Sequence, residues 1–228
     1  MFRYVTSVVA DGDMLSRENR AKWYAKQGLD EKEVALMSVG SKGSEVVWID
    51  EQSGGTVVEA DALLTKTSGI ALGLLTADCV PVIFHEPRIG IVGLAHCGWS
   101  GTHQKLAARV VERVVRSGGT ADAIVVYIGP SIHKELYLVQ AEKLSQRDDP
   151  AWQPFLSEGA DGMWQVDVAG YVRAQLIQAG VVPEHITEST IDTFSDTNYF
   201  SHRRAVQTSE ADGRFLTLVW GMDGQDTA

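Results

Sequence analysis

Residues 69–84, GIALGLLTADCVPVIF, form the longest apolar run of the chain, and the rest is read outward from them. Thr76 and Asp78 interrupt the run and Pro81 removes a backbone donor, so it does not make a bilayer-spanning helix. It reads instead as two short strands, over 71–76 and 81–85, joined through Ala77-Asp78-Cys79. A third apolar run over 90–95 follows at once, and three such runs bounded by turn residues predict buried central strands.

Upstream, residues 2–9 read as an opening strand and Ser16 as the N-cap of a helix ending near Gly28. A second short helix is expected over 31–36, a strand over 46–49 and a turn over 53–55. Downstream, Leu106, Val110, Val111 and Val114 share one face of a helix between Thr102 and Gly118, which Gly118-Gly119 closes. A strand over 123–128, a helix over 167–179 ended by Gly180, and a terminal strand over 214–220 complete the pattern. Residues 148–162 are polar and loop-rich and predict a surface excursion. No internal repeat is present, and the order of elements predicts one mixed α/β or α+β domain over 1–228.

Composition narrows the function. The 228 residues are 44% hydrophobic and 22% charged with 22 Gly and 6 Pro, the profile of an ordinary globular domain. Thirty acidic against twenty basic side chains give a formal charge of −10, which disfavours nucleic acid and anionic membrane as main partners and leaves a small-molecule substrate. The first ten residues lack the apolar core of a signal peptide, so a cytoplasmic protein is expected. Two cysteines, Cys79 and Cys97, do not make a disulfide framework.

Reactive side chains gather at strand ends. Cys79 and His96 lie seventeen residues apart, each leaving an apolar strand, and adjacent strands would bring thiol and imidazole together. The pair suits a metal or a nucleophile; by spacing alone, a small buried thiol and a satisfied core histidine are the commoner outcome. Asp78 adds a carboxylate that is costly to bury without a partner. Gly98-Trp99-Ser100-Gly101-Thr102 enters the helix, so amides near Ser100 and Gly101 are candidates for an anion, with Thr102 as a simple N-cap the alternative. His133, after Gly129-Pro130-Ser131-Ile132, is a loop histidine or a substrate contact. Arg203 and Arg204 concentrate cationic donors suited to an anionic substrate group, or pair with surface acids.

Four ordered motifs resemble the YfiH family: Thr76-Ala77-Asp78-Cys79-Val80-Pro81-Val82, Ala95-His96-Cys97-Gly98-Trp99, Ile128-Gly129-Pro130-Ser131-Ile132 and Phe200-Ser201-His202-Arg203-Arg204. Its members are called laccase-domain proteins, polyphenol oxidases, purine nucleoside phosphorylases or peptidoglycan editing factors. The resemblance covers about residues 8–220 and implies a layered α-β-β-α sandwich of mixed sheets flanked by helices. It implies a zinc site of His, Cys and His, in which Cys79 and His96 match the second and third ligands. It also implies phosphorolysis of purine nucleosides, with adenosine deamination as a second activity.

The departures are specific. Lys42 stands where the family's first histidine ligand is found, and an ordinary ammonium does not bind zinc, so zinc binding and catalysis are expected to be weakened. Ser100 replaces an arginine, and His133-Lys134-Glu135-Leu136-Tyr137 replaces a cysteine-rich segment. Three functions follow: a zinc-assisted nucleoside phosphorylase or deaminase; a cysteine hydrolase or amidase on a peptidoglycan precursor, with Cys79 as nucleophile and His96 as base; and a non-catalytic paralogue that binds a small molecule. Copper chemistry is not expected, because the six histidines (His85, His96, His103, His133, His185, His202) include no His-x-His pair.

Overall fold

A computed structural model describes residues 2–40 and 43–222. In chain order the regular elements are β1 (Phe2–Thr6), α1 (Arg17–Lys26), β2 (Val34–Val39), β3 (Val46–Ile49), β4 (Val57–Ala60), β5 (Ala62–Thr65), β6 (Ala71–Thr76), β7 (Val80–Glu86) and β8 (Ile91–Cys97). There follow α2 (Trp99–His103), α3 (Leu106–Arg116), β9 (Val125–Ile128), β10 (Leu138–Gln140), β11 (Leu156–Glu158), β12 (Met163–Val166), α4 (Val168–Gln178), β13 (Ile186–Glu188), α5 (His202–Thr208) and β14 (Phe215–Gly221).

Two mixed sheets are stacked, one of order β1-β14-β6-β2-β4 and one of order β13-β9-β7-β8-β5-β3. Between them Leu72, Leu74 and Val219 of the first meet Leu63, Ile83 and Leu94 of the second in one buried apolar cluster. Outside the first sheet, Trp23 and Tyr24 of α1 bury against Val34, Leu216 and Leu218. Outside the second, Leu106, Val110 and Val114 of α3 and Val172 and Leu176 of α4 cover Val82, Phe84 and Val126. The mixed α/β layering of helix, sheet, sheet and helix is thus the one the motifs implied, with a third, small sheet β10-β12-β11 alongside α4.

The apolar run of 69–84 does form two buried strands, and they belong to different sheets: β6 lies in the first and β7 in the second. The turn at Ala77-Asp78-Cys79 therefore carries the chain across the gap between the sheets, at one end of the inter-sheet core.

Three expectations need correction. Residues 31–36 are not a helix: one 3-10 turn at Glu31–Glu33 leads into β2, which pairs in parallel with both β4 and β6, so sheet pairing overrides local helix preference. The helix between Thr102 and Gly118 is two: Lys105, at φ 57° in the left-handed region, separates α2 from α3, and Gly98 rather than Thr102 is the N-cap of α2. The excursion over 148–162 is not purely surface, since Trp152 is fully buried and β11 joins the small sheet.

Candidate functional site

Alternation along two paired strands sets the site. In β8, Val92 and Leu94 point into the gap between the sheets while Ile91, Ala95 and Cys97 point to the helices, so His96 follows Leu94 into the gap. In β7, Ile83 faces the gap and Val80 and Val82 the helices, so Cys79 falls on the same side as His96. Both groups meet at Gly98, where an added Cβ would lie 2.9 Å from His96 Cε1 and 3.0 Å from Cys79 Sγ. Thiol and imidazole thus share one face and one cradle, and only a residue without a side chain leaves it open. Cys97, one residue on from His96, is fully buried in the helix-side core.

Asp78 fixes the turn. It adopts φ 80°, a left-handed conformation that few residues other than glycine take without strain. Its Oδ1 accepts the Thr193 hydroxyl and its Oδ2 the backbone N–H of Arg203, both at 2.7 Å, while its own carbonyl accepts the N–H of Ile132. One buried residue so joins the β6–β7 turn to three later segments. Asp61, also buried, plays a parallel part behind His96: its carbonyl accepts the His96 N–H, and Oδ2 accepts the N–H groups of Ser44 and Glu45.

Beside Asp78 and Cys79 opens a small cleft of about 140 Å³. Gly98, Trp99, Tyr137, His202 and Arg203 complete its polar and aromatic lining, whereas His96 lies behind Gly98. Trp99 stacks on buried Trp152 with ring centroids 5.1 Å apart and meets Tyr137 edge-on. The Arg203 guanidinium sits 5.0 Å over the Tyr137 ring and donates to the Leu138 carbonyl.

The charges are set by burial. Burial pushes the Cys79 thiol up to about 11, helped by the Asp78 carboxylate and opposed by Arg214. Burial also lowers His96 to about 4, against the pull of Asp61, so at neutral pH the pair is an uncharged thiol and an uncharged imidazole.

The remaining candidates lie elsewhere. Ser100 and Gly101 face the loop at Gly43, where an added Cβ would meet Ser100 Oγ at 2.5 Å and the Gly101 nitrogen at 2.8 Å. His133 lies in a separate hollow with Lys134, Glu135 and Glu188, and its N–H donates to Asp192. Arg204 is buried, and its guanidinium donates to Glu210 and to the carbonyls of Thr193, Phe194 and Tyr199. Lys42 lies outside the described residues. No role was expected for Asp61, Thr193, Tyr137, His202 or Asp212; only Tyr137 and His202 had a local signal, inside His133-Lys134-Glu135-Leu136-Tyr137 and Phe200-Ser201-His202-Arg203-Arg204.

Cys79 and His96 offer soft sulfur and imidazole nitrogen, the donors zinc prefers, but among the described residues no three His, Cys, Asp or Glu side chains come together as a metal site requires. The described set does not by itself fit the ion. The sequence from 5 to 222 matches the family model for multi-copper polyphenol oxidoreductase laccase. The chain belongs to this family. Members similar to it include Adenosine deaminase RL5 from an unknown prokaryotic organism, 36% identical over 75% of this chain and 66% of that protein. A purine nucleoside phosphorylase of Xylella fastidiosa is 33% identical over 94% of this chain and 82% of its own. Among solved structures, YlmD from Geobacillus stearothermophilus superposes with a TM-score of 0.81 at 29% identity, covering 90% of this chain and 79% of that one. YfiH of Bacillus licheniformis gives the same TM-score at 25% identity over 90% and 80%. Among the described residues no helix is long and apolar enough to cross a membrane.

Proposed function

We propose that this chain is a purine nucleoside phosphorylase with adenosine deamination as a side activity, working in the cleft beside Cys79. The observation that carries the reading is the pairing of aromatic surface with a cation in that cleft: Trp99 and Tyr137 offer π-surface for a purine, and Arg203 offers donors to an anion. The similarity to relatives named for both activities supports the same substrate class. Phosphorolysis asks little covalent chemistry of the protein. A phosphate oxygen attacks C1′ of the ribose, the C1′–N9 bond breaks, and its electron pair passes into the purine; this chain's task is to hold the two reactants in line. Arg203 is the residue we assign to the phosphate. Asp78, whose carboxylate already accepts two donors, acts as a positioning residue that holds the Cys79 turn and the start of α5 in register.

With two donors among the described residues, zinc is given no step here, and weak zinc binding is part of the proposal. A cysteine hydrolase is the less supported alternative, because a buried neutral thiol beside a neutral imidazole lacks the thiolate such an enzyme needs. The test is to incubate the purified protein with inosine or adenosine, with and without phosphate. Phosphate-dependent release of the free purine together with ribose 1-phosphate supports the proposal; saturable nucleoside binding without turnover makes the chain a binding module instead.

A further inference from the structure

His202 is the first residue of α5 and lines the same cleft as Cys79 and Arg203. Its Nδ1 lies 3.0 Å from Asp212 Oδ2, while the other carboxylate oxygen of Asp212 accepts from Arg214 at 2.6 Å. Arg214, followed by His202, holds the Asp212 carboxyl below its usual range, so it is an ionised acceptor and Nδ1 must carry the hydrogen of that bond. The tautomer is thereby fixed, and Nε2, on the other edge of this half-exposed ring, is not tied by that bond. A ring locked at one nitrogen by a carboxylate and open at the other is the arrangement of an acid–base histidine. Charged and titratable groups around it are Asp212 and Arg214 behind the ring, and Arg203, Asp78, Cys79 and Tyr137 on the cleft walls. Asp78 is already engaged by Thr193 and Arg203, and Cys79 and Tyr137 are held in their neutral forms by burial.

We propose that His202, oriented by Asp212, is the catalytic acid that protonates the departing purine. The role rests on the phosphorylase reading. As phosphate attacks C1′ and the glycosidic electron pair moves into the ring, the His202 imidazolium gives its Nε2 proton to the purine N7 and is left neutral. The base leaves uncharged, and the proton shed by the ribose 1-phosphate monoanion returns to His202, so protons and charge balance over a turnover. Asp212 holds the ring through Nδ1 and is a positioning residue.

The leaving group provides the test. A 7-methylated purine nucleoside already carries its positive charge in the ring and departs without protonation, whereas inosine does not. Native protein, His202→Gln and Asp212→Asn are assayed with inosine and with 7-methylinosine in phosphate buffer. His202→Gln is expected to lower kcat on inosine by about 10²-fold or more, with a much smaller change in KM, and to leave 7-methylinosine within about threefold of native. Asp212→Asn should show the same selectivity with a smaller loss, and added imidazole should restore inosine turnover in His202→Gln. Equal losses on both substrates, or no loss on inosine, overturn the role of His202 while leaving the phosphorylase reading intact. Native protein inert toward both nucleosides overturns that reading and this role with it.

Discussion

Asp78 Oδ2 accepts the backbone N–H of Arg203, 125 residues further along the chain, at 2.7 Å, and so ties the thiol-bearing turn to the cation across the cleft. The same carboxylate takes the Thr193 hydroxyl, so one left-handed residue sets the spacing of the cleft's two walls.

Replacing Asp78 with Ala strips two buried donors of their acceptor and keeps the strained φ. A loss of about 2–4 kcal/mol of stability is expected, read as a lower urea midpoint at unchanged slope. Asp78→Asn keeps an acceptor and tolerates the left-handed region, so it should lose less. Equal losses in the two variants would show that the hydrogen bonds do not carry the effect.

Gly98 separates Cys79 from His96 by the absence of a side chain. A Cβ there would stand 2.9 Å from one and 3.0 Å from the other, closer than real Cβ contacts. Gly98→Ala should therefore displace both groups at a cost of about 1–3 kcal/mol and, because Gly98 also lines the cleft, lower nucleoside turnover at least tenfold. Native turnover in Gly98→Ala would show that the nucleoside does not bind against Gly98.

Arg203 is assigned to phosphate rather than to the nucleoside. Arg203→Met should raise KM for phosphate by tenfold or more and move KM for inosine much less. A larger change for inosine would put the guanidinium on the sugar or the base.

How much of this was legible in the sequence depends on whether the signal was local. The strands of 69–84 and 90–95 were readable because unbroken apolar runs have few other uses, and Cys79 and His96 were readable because each ends such a run. That both face the gap between the sheets followed only once β7 and β8 were paired with Val80 opposite Cys97. Asp61, Thr193 and Asp212 gave no signal, being single polar residues whose partners lie in other segments. The short helix expected over 31–36 failed because β2 gains parallel partners on both sides, which no local pattern reports.

Two histidines shielded from water should make the fold acid-sensitive. Burial lowers both His85 and His96 to about 4, and His85 Nδ1 has no partner. The unfolded chain holds these protons at a pKa near 6.5, so between about pH 6.5 and 4 it binds more protons than the folded one. The stability contributed by the neutral rings is therefore complete above pH 6.5 and lost as pH falls toward 4. His85→Gln should flatten that part of the curve of unfolding free energy against pH; an unaltered slope would mean that carboxylates alone cause it.

Zinc gives the sharpest test of the departures from the family pattern. Lys42 stands where the resemblance places the first ligand, and an ammonium both lacks the donor and repels the cation. The native protein is expected to retain well under one zinc per chain after dialysis against the free metal. Lys42→His should raise the bound metal toward one per chain and increase phosphate-dependent nucleoside cleavage in parallel. Cys79→Ala in that background, or removal of the metal by a chelator, should abolish both gains, because the thiolate and the new imidazole act on the same ion. Metal content by elemental analysis reports ligation independently of turnover. Full zinc in the native protein, unchanged by Lys42→His, would sink the idea and direct attention to another donor near Cys79 and His96.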